Sequence, residues 1–355
     1  MNRGPKVVGI VAGATAGLLA AGAAAGIAAE RYAVGRIRLG PDPEAREPFG
    51  RLRGRPLTVL ADDGVPLHVE IDGDDDADVT VLFCHGYGLR EDSWHYQRRY
   101  LRHLGRLVFW DQRSHGRSGH SPEEHCTIDQ LGRDLYAVLN AAVPRGPVVL
   151  VGHSMGGMTI MALADQRPEL FGDRVVGVGL IATAADPVSF FSKNLPHRLE
   201  RAAETVITTM GKQVALVEGA RRLAGDLLFL VIRTYSFGSR RVSPSVAAFQ
   251  ERMANSTPVD VLAAYYPTFR MQEKRAALSV LDRVESLVVV GSEDRMTPVE
   301  HAETIVQRMS GAEYVVVPGA GHMVMLEEPG LVNELIGRLV ERAMVSVESS
   351  GESAS

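Results

Sequence analysis

The chain reads as an α/β protein with a mostly parallel, twisted sheet flanked by helices and a helical cap inserted late. Three observations predict this. From residue 79 onward, short runs rich in β-branched residues alternate with helical stretches, the order that builds a doubly wound parallel sheet. The runs at 79–84, 107–110, 148–151, 175–181, 287–290 and 314–317 are apolar on both faces, as strands covered by helices on two sides should be. Between residues 186 and 275 the alternation stops, and helical patterns continue without a convincing strand. An insertion of that kind predicts a helical cap over the carboxyl edge of the sheet.

The elements follow in order. Residues 7–29 carry no charge and consist of Val, Ile, Leu, Ala, Gly and one Thr, long enough to span a bilayer core as a helix. Their strongly apolar residues contribute only about −3 kcal/mol on the insertion scale. Arg3 and Lys6 in front and the small residues Ala28 and Ala29 behind also fit a secretory signal. The expectation is membrane association through this segment, or export if it is cleaved. Arg31, Arg36 and Arg38 follow at once and favour placing the rest of the chain on the cytoplasmic side. Pro41, Pro43 and Pro48 among charges read as a linker. Residues 57–60 and 67–71 read as two strands around the turn Asp62-Asp63-Gly64. The acidic run at 72–78 lacks the Gly and closing Glu of a calcium loop and reads as a solvated turn.

Thr127 and Gln130 form a capping box that opens a helix over 128–141. Val299, Ala302, Ile305, Val306 and Met309 give another helix one apolar stripe. Residues 345–355, rich in Ser and Glu, read as a disordered tail. The expected organisation is a membrane or signal segment with linker at 1–48, a core at 49–185 and 276–344, a cap at 186–275, and the tail.

Composition narrows the function. Of the 355 residues 45% are hydrophobic, enough for a sizeable core, and the net charge of −5 is spread without a basic block, which argues against nucleic acid as a partner. Cys84 and Cys126 form no disulfide framework and no metal-ligand spacing; Cys84 reads as a buried thiol. No cofactor or metal is expected.

Chemistry concentrates at Gly152-His153-Ser154-Met155-Gly156-Gly157, between the apolar run 148–151 and the helical run 158–166. A serine on a tight strand-to-helix turn needs glycine two residues to either side, because a Cβ there would collide with neighbouring backbone. The helix that follows aims free N–H groups at developing negative charge.

With this motif the sequence resembles the α/β-hydrolase superfamily over residues 57–340. Cys84-His85-Gly86-Tyr87-Gly88 is similar to the family's oxyanion loop, which implies that the N–H groups of Tyr87 and Met155 hold the oxyanion and that His85 braces the loop. Residues 110–118 resemble the structural loop after the fourth strand, with Ser114 where the family often has glycine; Asp111 and His115 are therefore left out of the catalytic set. The run 287–290 leads into Gly291-Ser292-Glu293-Asp294, and 314–317 leads into Pro318-Gly319-Ala320-Gly321-His322. Ser154, Asp294 and His322 then stand in the chain order of this fold. The resemblance implies Ser154 as nucleophile, His322 as base and Asp294 as the orienting acid, with Glu293 and Asp186 as rival acids.

A serine at this position implies acyl transfer through an acyl-serine. The string Gly-His-Ser-Met-Gly-Gly is similar to that of monoacylglycerol lipases and small carboxylesterases, and it also occurs in carbon–carbon bond hydrolases, serine haloperoxidases and prolyl peptidases. The apolar cap and the N-terminal segment favour esters of apolar acyl groups or lipid-like substrates. Trp94, Phe190 and Phe191 are the expected substrate contacts; the alternatives are a structural packing role for Trp94 and anchoring of the cap to the core by the two phenylalanines. A non-catalytic binding module of the same fold is the alternative from another class, and an intact triad argues against it.

Overall fold

The computed structural model describes residues 40–188, 233–239 and 242–353. Eight strands form one sheet in the order β1-β2-β4-β3-β5-β6-β7-β8. They are β1 (Arg55–Leu60), β2 (Pro66–Asp72), β3 (Thr80–Cys84), β4 (Arg106–Trp110), β5 (Val148–His153), β6 (Val175–Ile181), β7 (Glu285–Gly291) and β8 (Glu313–Val317). The first two form an antiparallel hairpin, β2 also runs antiparallel to β4, and all remaining pairs are parallel. Every apolar run read from the sequence corresponds to a strand.

Among the described residues lie the helices α1 (His95–Tyr100), α2 (Ile128–Ala142), α3 (Met155–Gln166), α4 (Pro244–Ser256), α5 (Val259–Met271), α6 (Leu278–Leu281), α7 (Val299–Val306), α8 (Val324–Glu327) and α9 (Pro329–Ser353). The side chain of Thr127 caps α2 by accepting from the N–H of Gln130, as its position before the helix predicts. Because β3, β5 and β6 are buried along their whole length, they need cover on both faces. Side chains of α2 and α3 join the core on one face, and α9 supplies Leu335, Ile336, Leu339 and Ala343 on the other. Among the strands of the parallel part, only β8 departs from a two-face apolar pattern: it is the edge of the sheet on that side, with Val316 exposed.

Two expectations about the chain's ends are corrected. The Ser- and Glu-rich tail continues α9 as far as Ser353. Met344 and Val347 still pack on the core, and the Ser346 hydroxyl donates to Glu285, so the stripe that holds the helix outlasts the apolar composition. Residues 41–50 contain no helix or strand but are built into the body. Ser245 donates to Asp42 at 2.7 Å, and Glu47 pairs with Arg99 and His95. The Phe49 ring stacks on Phe249 of α4 at 4.7 Å and lies against His95 and Tyr96 of α1. Proline and charge forecast the lack of regular structure; they say nothing of whether irregular backbone packs.

The expected membrane segment lies outside the described residues. Among the described residues, no helix is long and apolar enough to cross a membrane. Of the expected cap, α4 and α5 are described, while residues 189–232 lie outside. The ring of Phe269 on α5 lies 5.0 Å from Tyr87, and Tyr265 and Phe269 share an apolar cluster with Met155 and Met158. That arrangement sets α5 over the carboxyl edge of the central strands.

Candidate active site

Strands β3 and β5 are neighbours, with Cys84 opposite Gly152, so the loop after β3 and the turn after β5 emerge side by side. Ser154 occupies that turn at φ 53°, ψ −118°, an unfavourable conformation for a side chain-bearing residue. Helix α3 starts at Met155, three residues earlier than the sequence suggested, so Ser154 stands directly at its N-terminus. The flanking glycines serve close approach: a Cβ on Gly156 would lie 2.1 Å from the Cys84 carbonyl oxygen, and one on Gly152 2.5 Å from the backbone of Gly156. Thr183 locks the turn by donating to the Ser154 carbonyl at 2.7 Å.

Beyond β7 and β8, also neighbours, the loops carry Asp294 and His322. The His322 Nδ1–H donates to Asp294 Oδ2 at 2.8 Å. That carboxylate receives three further bonds: the N–H groups of Met296 and Thr297 reach Oδ1 at 2.8 and 2.9 Å, and the Thr297 hydroxyl reaches Oδ2 at 2.9 Å. Burial raises the Asp294 carboxyl most, yet the charge and hydrogen bond of His322 and the Thr297 donors together hold it below its ordinary value. With Nδ1 committed, Nε2 is the nitrogen left to accept a proton. Glu293 and Asp186 are engaged elsewhere, with Ser239 and Arg275 respectively.

The loop of His322 is pinned against the serine turn by His153. Its Nε2–H donates to the His322 carbonyl at 2.9 Å, and the two rings lie 4.8 Å apart. Burial, and then the neighbouring His322, push the His153 imidazole down to about 3, so it stays neutral. Sequence reasoning gave neither His153 nor Thr297 a role. Thr297 had a local signal, the Asp-x-x-Thr spacing that lets a carboxylate accept from its own following turn; His153 had none, because its partner is 169 residues away.

The loop after β3 is held from behind. The Gln112 N–H donates to His85 Nε2 at 2.9 Å while His85 Nδ1–H donates to the Gly86 carbonyl at 2.8 Å. The Gly88 N–H reaches His115 Nε2 at 3.2 Å. Burial lowers both imidazoles, His115 to about 4, so both are neutral braces. The Tyr87 hydroxyl donates to the Leu262 carbonyl on α5, joining this loop to the cap. The N–H of Met155 is at the first position of α3, where no carbonyl of the helix can accept it. Asp111 accepts from the N–H of Arg117 within the loop after β4 and from the N–H of Glu91 in the segment after β3. In that loop Ser114 has φ 64°, a left-handed conformation in which glycine is unstrained.

Trp94 is corrected as a substrate contact. It is fully buried, packed on Phe83 at 5.1 Å and perpendicular to the His153 ring at 6.5 Å, and so belongs to the core beneath the site. Phe190 and Phe191 lie outside the described residues. Among the described residues, His68, Glu70 and Glu91 bring possible metal-ligand atoms within 4.8 Å of one another. Arg98 and Arg117 already pair with both carboxylates, which supplies the cationic charge that a metal would.

Comparison with known proteins agrees with this architecture. A solved esterase from Thermogutta terrifontis superposes with a TM-score of 0.66 at 25% identity, covering 81% of this chain and 98% of that one. An esterase from Exiguobacterium antarcticum also reaches 0.66, at 20% identity over 80% and 98% of the two chains. A sn-1-specific diacylglycerol lipase of Mus musculus is 27% identical over 72% of this chain and 79% of its own length. The alpha/beta hydrolase family profile matches residues 81–335, from β3 into α9. The sheet order, the strained serine after β5 and this match together make the chain a member of the alpha/beta hydrolase family.

Proposed function

We propose that the protein is a serine hydrolase that cleaves carboxylic esters of apolar acyl groups. The observation that carries this is the strained Ser154 at a helix N-terminus, with its neighbour His153 bonded to the carbonyl of His322, whose ring pairs with the buried Asp294. In this reading His322 Nε2 removes the Ser154 hydroxyl proton as the oxygen attacks the ester carbonyl. The tetrahedral oxyanion is met by the N–H groups of Tyr87 and Met155. Collapse expels the alcohol, which takes its proton from His322, and leaves an acyl-serine. Water, activated by the same imidazole, then releases the acid and restores the enzyme. Asp294 keeps the imidazole in the required tautomer and offsets the positive charge it acquires.

The esterase and lipase relatives support an ester over an amide or carbon–carbon bond. The preference for apolar acyl groups rests on the cluster Met155, Met158, Val188, Tyr265 and Phe269 beside the serine turn; Phe190 and Phe191 are proposed as further acyl contacts. Membrane association through residues 7–29 would bring such a site to lipid.

A fluorophosphonate probe and a series of p-nitrophenyl esters test the reading. Ser154→Ala should abolish labelling and lower turnover by several orders of magnitude. On the wild type, each added methylene buried should contribute about 0.8 kcal/mol, roughly fourfold in kcat/KM until the pocket is full. Labelling that persists in Ser154→Ala overturns the nucleophile; a flat series overturns the apolar acyl preference.

A further inference from the structure

Glu327, at the end of α8, is half-buried beside the reaction centre and forms no ion pair within 4 Å among the described residues. Instead its two oxygens take one backbone N–H each. Oε1 accepts from Gly321, the residue before His322, at 2.8 Å; Oε2 accepts from Gly238, in the insertion, at 2.9 Å. The two donors converge because both residues are glycine. A Cβ on Gly238 would lie 2.2 Å from the Gly319 carbonyl oxygen, and one on Gly321 would lie 2.4 Å from the Gly238 nitrogen. The same stretch of the insertion is tied on by three more bonds: the Met323 N–H to the Ser236 carbonyl at 2.9 Å, Arg295 to the Thr234 carbonyl, and Ser239 to Glu293.

We propose that Glu327 is the positioning residue of the site: its carboxylate clips the His322 loop and insertion residues 233–239 together, and protonating it releases both. This deepens the hydrolase reading and rests on His322 being the base. The clip needs two acceptor oxygens. Protonation removes the negative charge from both bonds and makes one oxygen a hydroxyl, a weaker acceptor that must turn its own proton away from the N–H, so the clip loosens. Burial pushes the Glu327 carboxyl up to about 7, with Asp294 also raising it and the Gly238 and Gly321 donors and His322 lowering it. The charged groups around it are Asp294 on the loop after β7, His322 on its own loop, and Arg233 at the start of the described insertion segment, whose guanidinium feels the Glu327 charge. The clip therefore closes near neutral pH, and His322 must be neutral in the same state to accept a proton.

The test is the rate of fluorophosphonate labelling of the full-length chain from pH 5 to 9, with melting temperatures alongside. In the wild type two deprotonations are required, so the logarithm of the rate should rise on the acid limb with a slope approaching two. Glu327→Gln cannot ionise and faces one N–H with an amide; it should label about 10- to 100-fold more slowly at pH 8 and with a slope of one. Glu327→Asp keeps an ionisable group too short to reach both donors; it should be slower yet keep the steeper limb, and it serves if the Gln variant does not fold. A Gln variant with the wild-type slope, or one slowed by the same factor at every pH, overturns the proposal, as does an Asp variant with a slope of one. Loss of Ser154-dependent labelling in the wild type would instead overturn the hydrolase reading beneath it.

Discussion

At the scale of single residues, the environment of Asp294 separates groups that carry charge from groups that only hold it. Four donors surround one buried carboxylate: His322 Nδ1, two backbone N–H groups and the Thr297 hydroxyl. The backbone donors survive any side-chain change nearby, whereas the imidazole depends on the carboxylate for its tautomer. Asp294→Asn should therefore cost about 10⁴ in turnover, and Glu293→Gln should cost little. Thr297→Val removes one hydrogen bond to a charged acceptor, worth about 1.5 to 3 kcal/mol, and should lower kcat roughly 10- to 100-fold while leaving KM near its value. Kinetics on one p-nitrophenyl ester rank the three variants. A larger loss in Glu293→Gln than in Asp294→Asn would transfer the role to Glu293.

At the scale of elements, the insertion is joined to the catalytic core from two sides. On one side the segment 41–50 wedges Phe49 between α1 and α4 and ties Asp42 to Ser245. On the other, residues 233–239 lie on the loops of Asp294 and His322. Helix α5 adds a third contact through Tyr87 and Leu262. Because Phe49 is only partly buried, its truncation should fall below the ~3 to 5 kcal/mol typical of a core phenylalanine. Phe49→Ala should lower the melting temperature by about 5 °C. Deletion through Pro48 should lower it too, by removing Asp42 and Glu47 along with their partners' bonds. Thermal unfolding of both proteins checks this, and an unchanged melting temperature would return the segment to the status of a linker.

At the scale of the whole molecule, the antiparallel end of the sheet is held to the rest by a buried charge network. Glu70 on β2 meets Arg98 of α1 at 2.8 Å, Arg117 of the loop after β4 at 2.6 Å, and the N–H of Gly54 at 2.9 Å. Arg98 also reaches Asp72 at 2.8 Å and Glu91 at 3.3 Å. Burial acts to raise the Glu70 carboxyl, but His68, Gly54, Arg98 and Arg117 outweigh it and bring it down to about 2 from 4.5. A depressed carboxyl stabilises the fold above its unfolded value and loses that contribution as pH falls through its folded one. Glu70→Gln leaves two guanidinium groups short of a partner and should cost about 3 kcal/mol at pH 7. The gap between the two melting temperatures should then shrink as pH falls from 4.5 toward 2. A gap that stays constant over that window would mean that Glu70 is not ionised in the folded protein.

The sequence by itself determined the parts written in local patterns. Burial on both faces demands unbroken runs of β-branched residues, so the strands of the parallel sheet were legible, as was the Thr127 cap of α2; the Gln130 side chain, expected to complete a capping box, bonds to Asp62 and Asp134 instead. The turn at Ser154 was legible because its backbone tolerates only glycine at 152 and 156, and Asp294 and His322 because each stands just past the carboxyl end of a strand. What the tertiary structure decided joins residues far apart in the chain. Trp94, aromatic and next to a motif, could have been a wall of the site or part of the packing, and the structure makes it core beneath the site, since one residue's type does not say which way it faces. Phe49 sat in a stretch with linker composition, and its stacking on Phe249 spans 200 residues. His153 and Glu327 each make a hydrogen bond whose geometry exists only once β5, β8 and the insertion are assembled, whereas the bond from Thr297 to Asp294 is local to the turn after β7. Periodicity records which face of an element is buried; only the packed fold records what that face, or a single polar atom on it, meets.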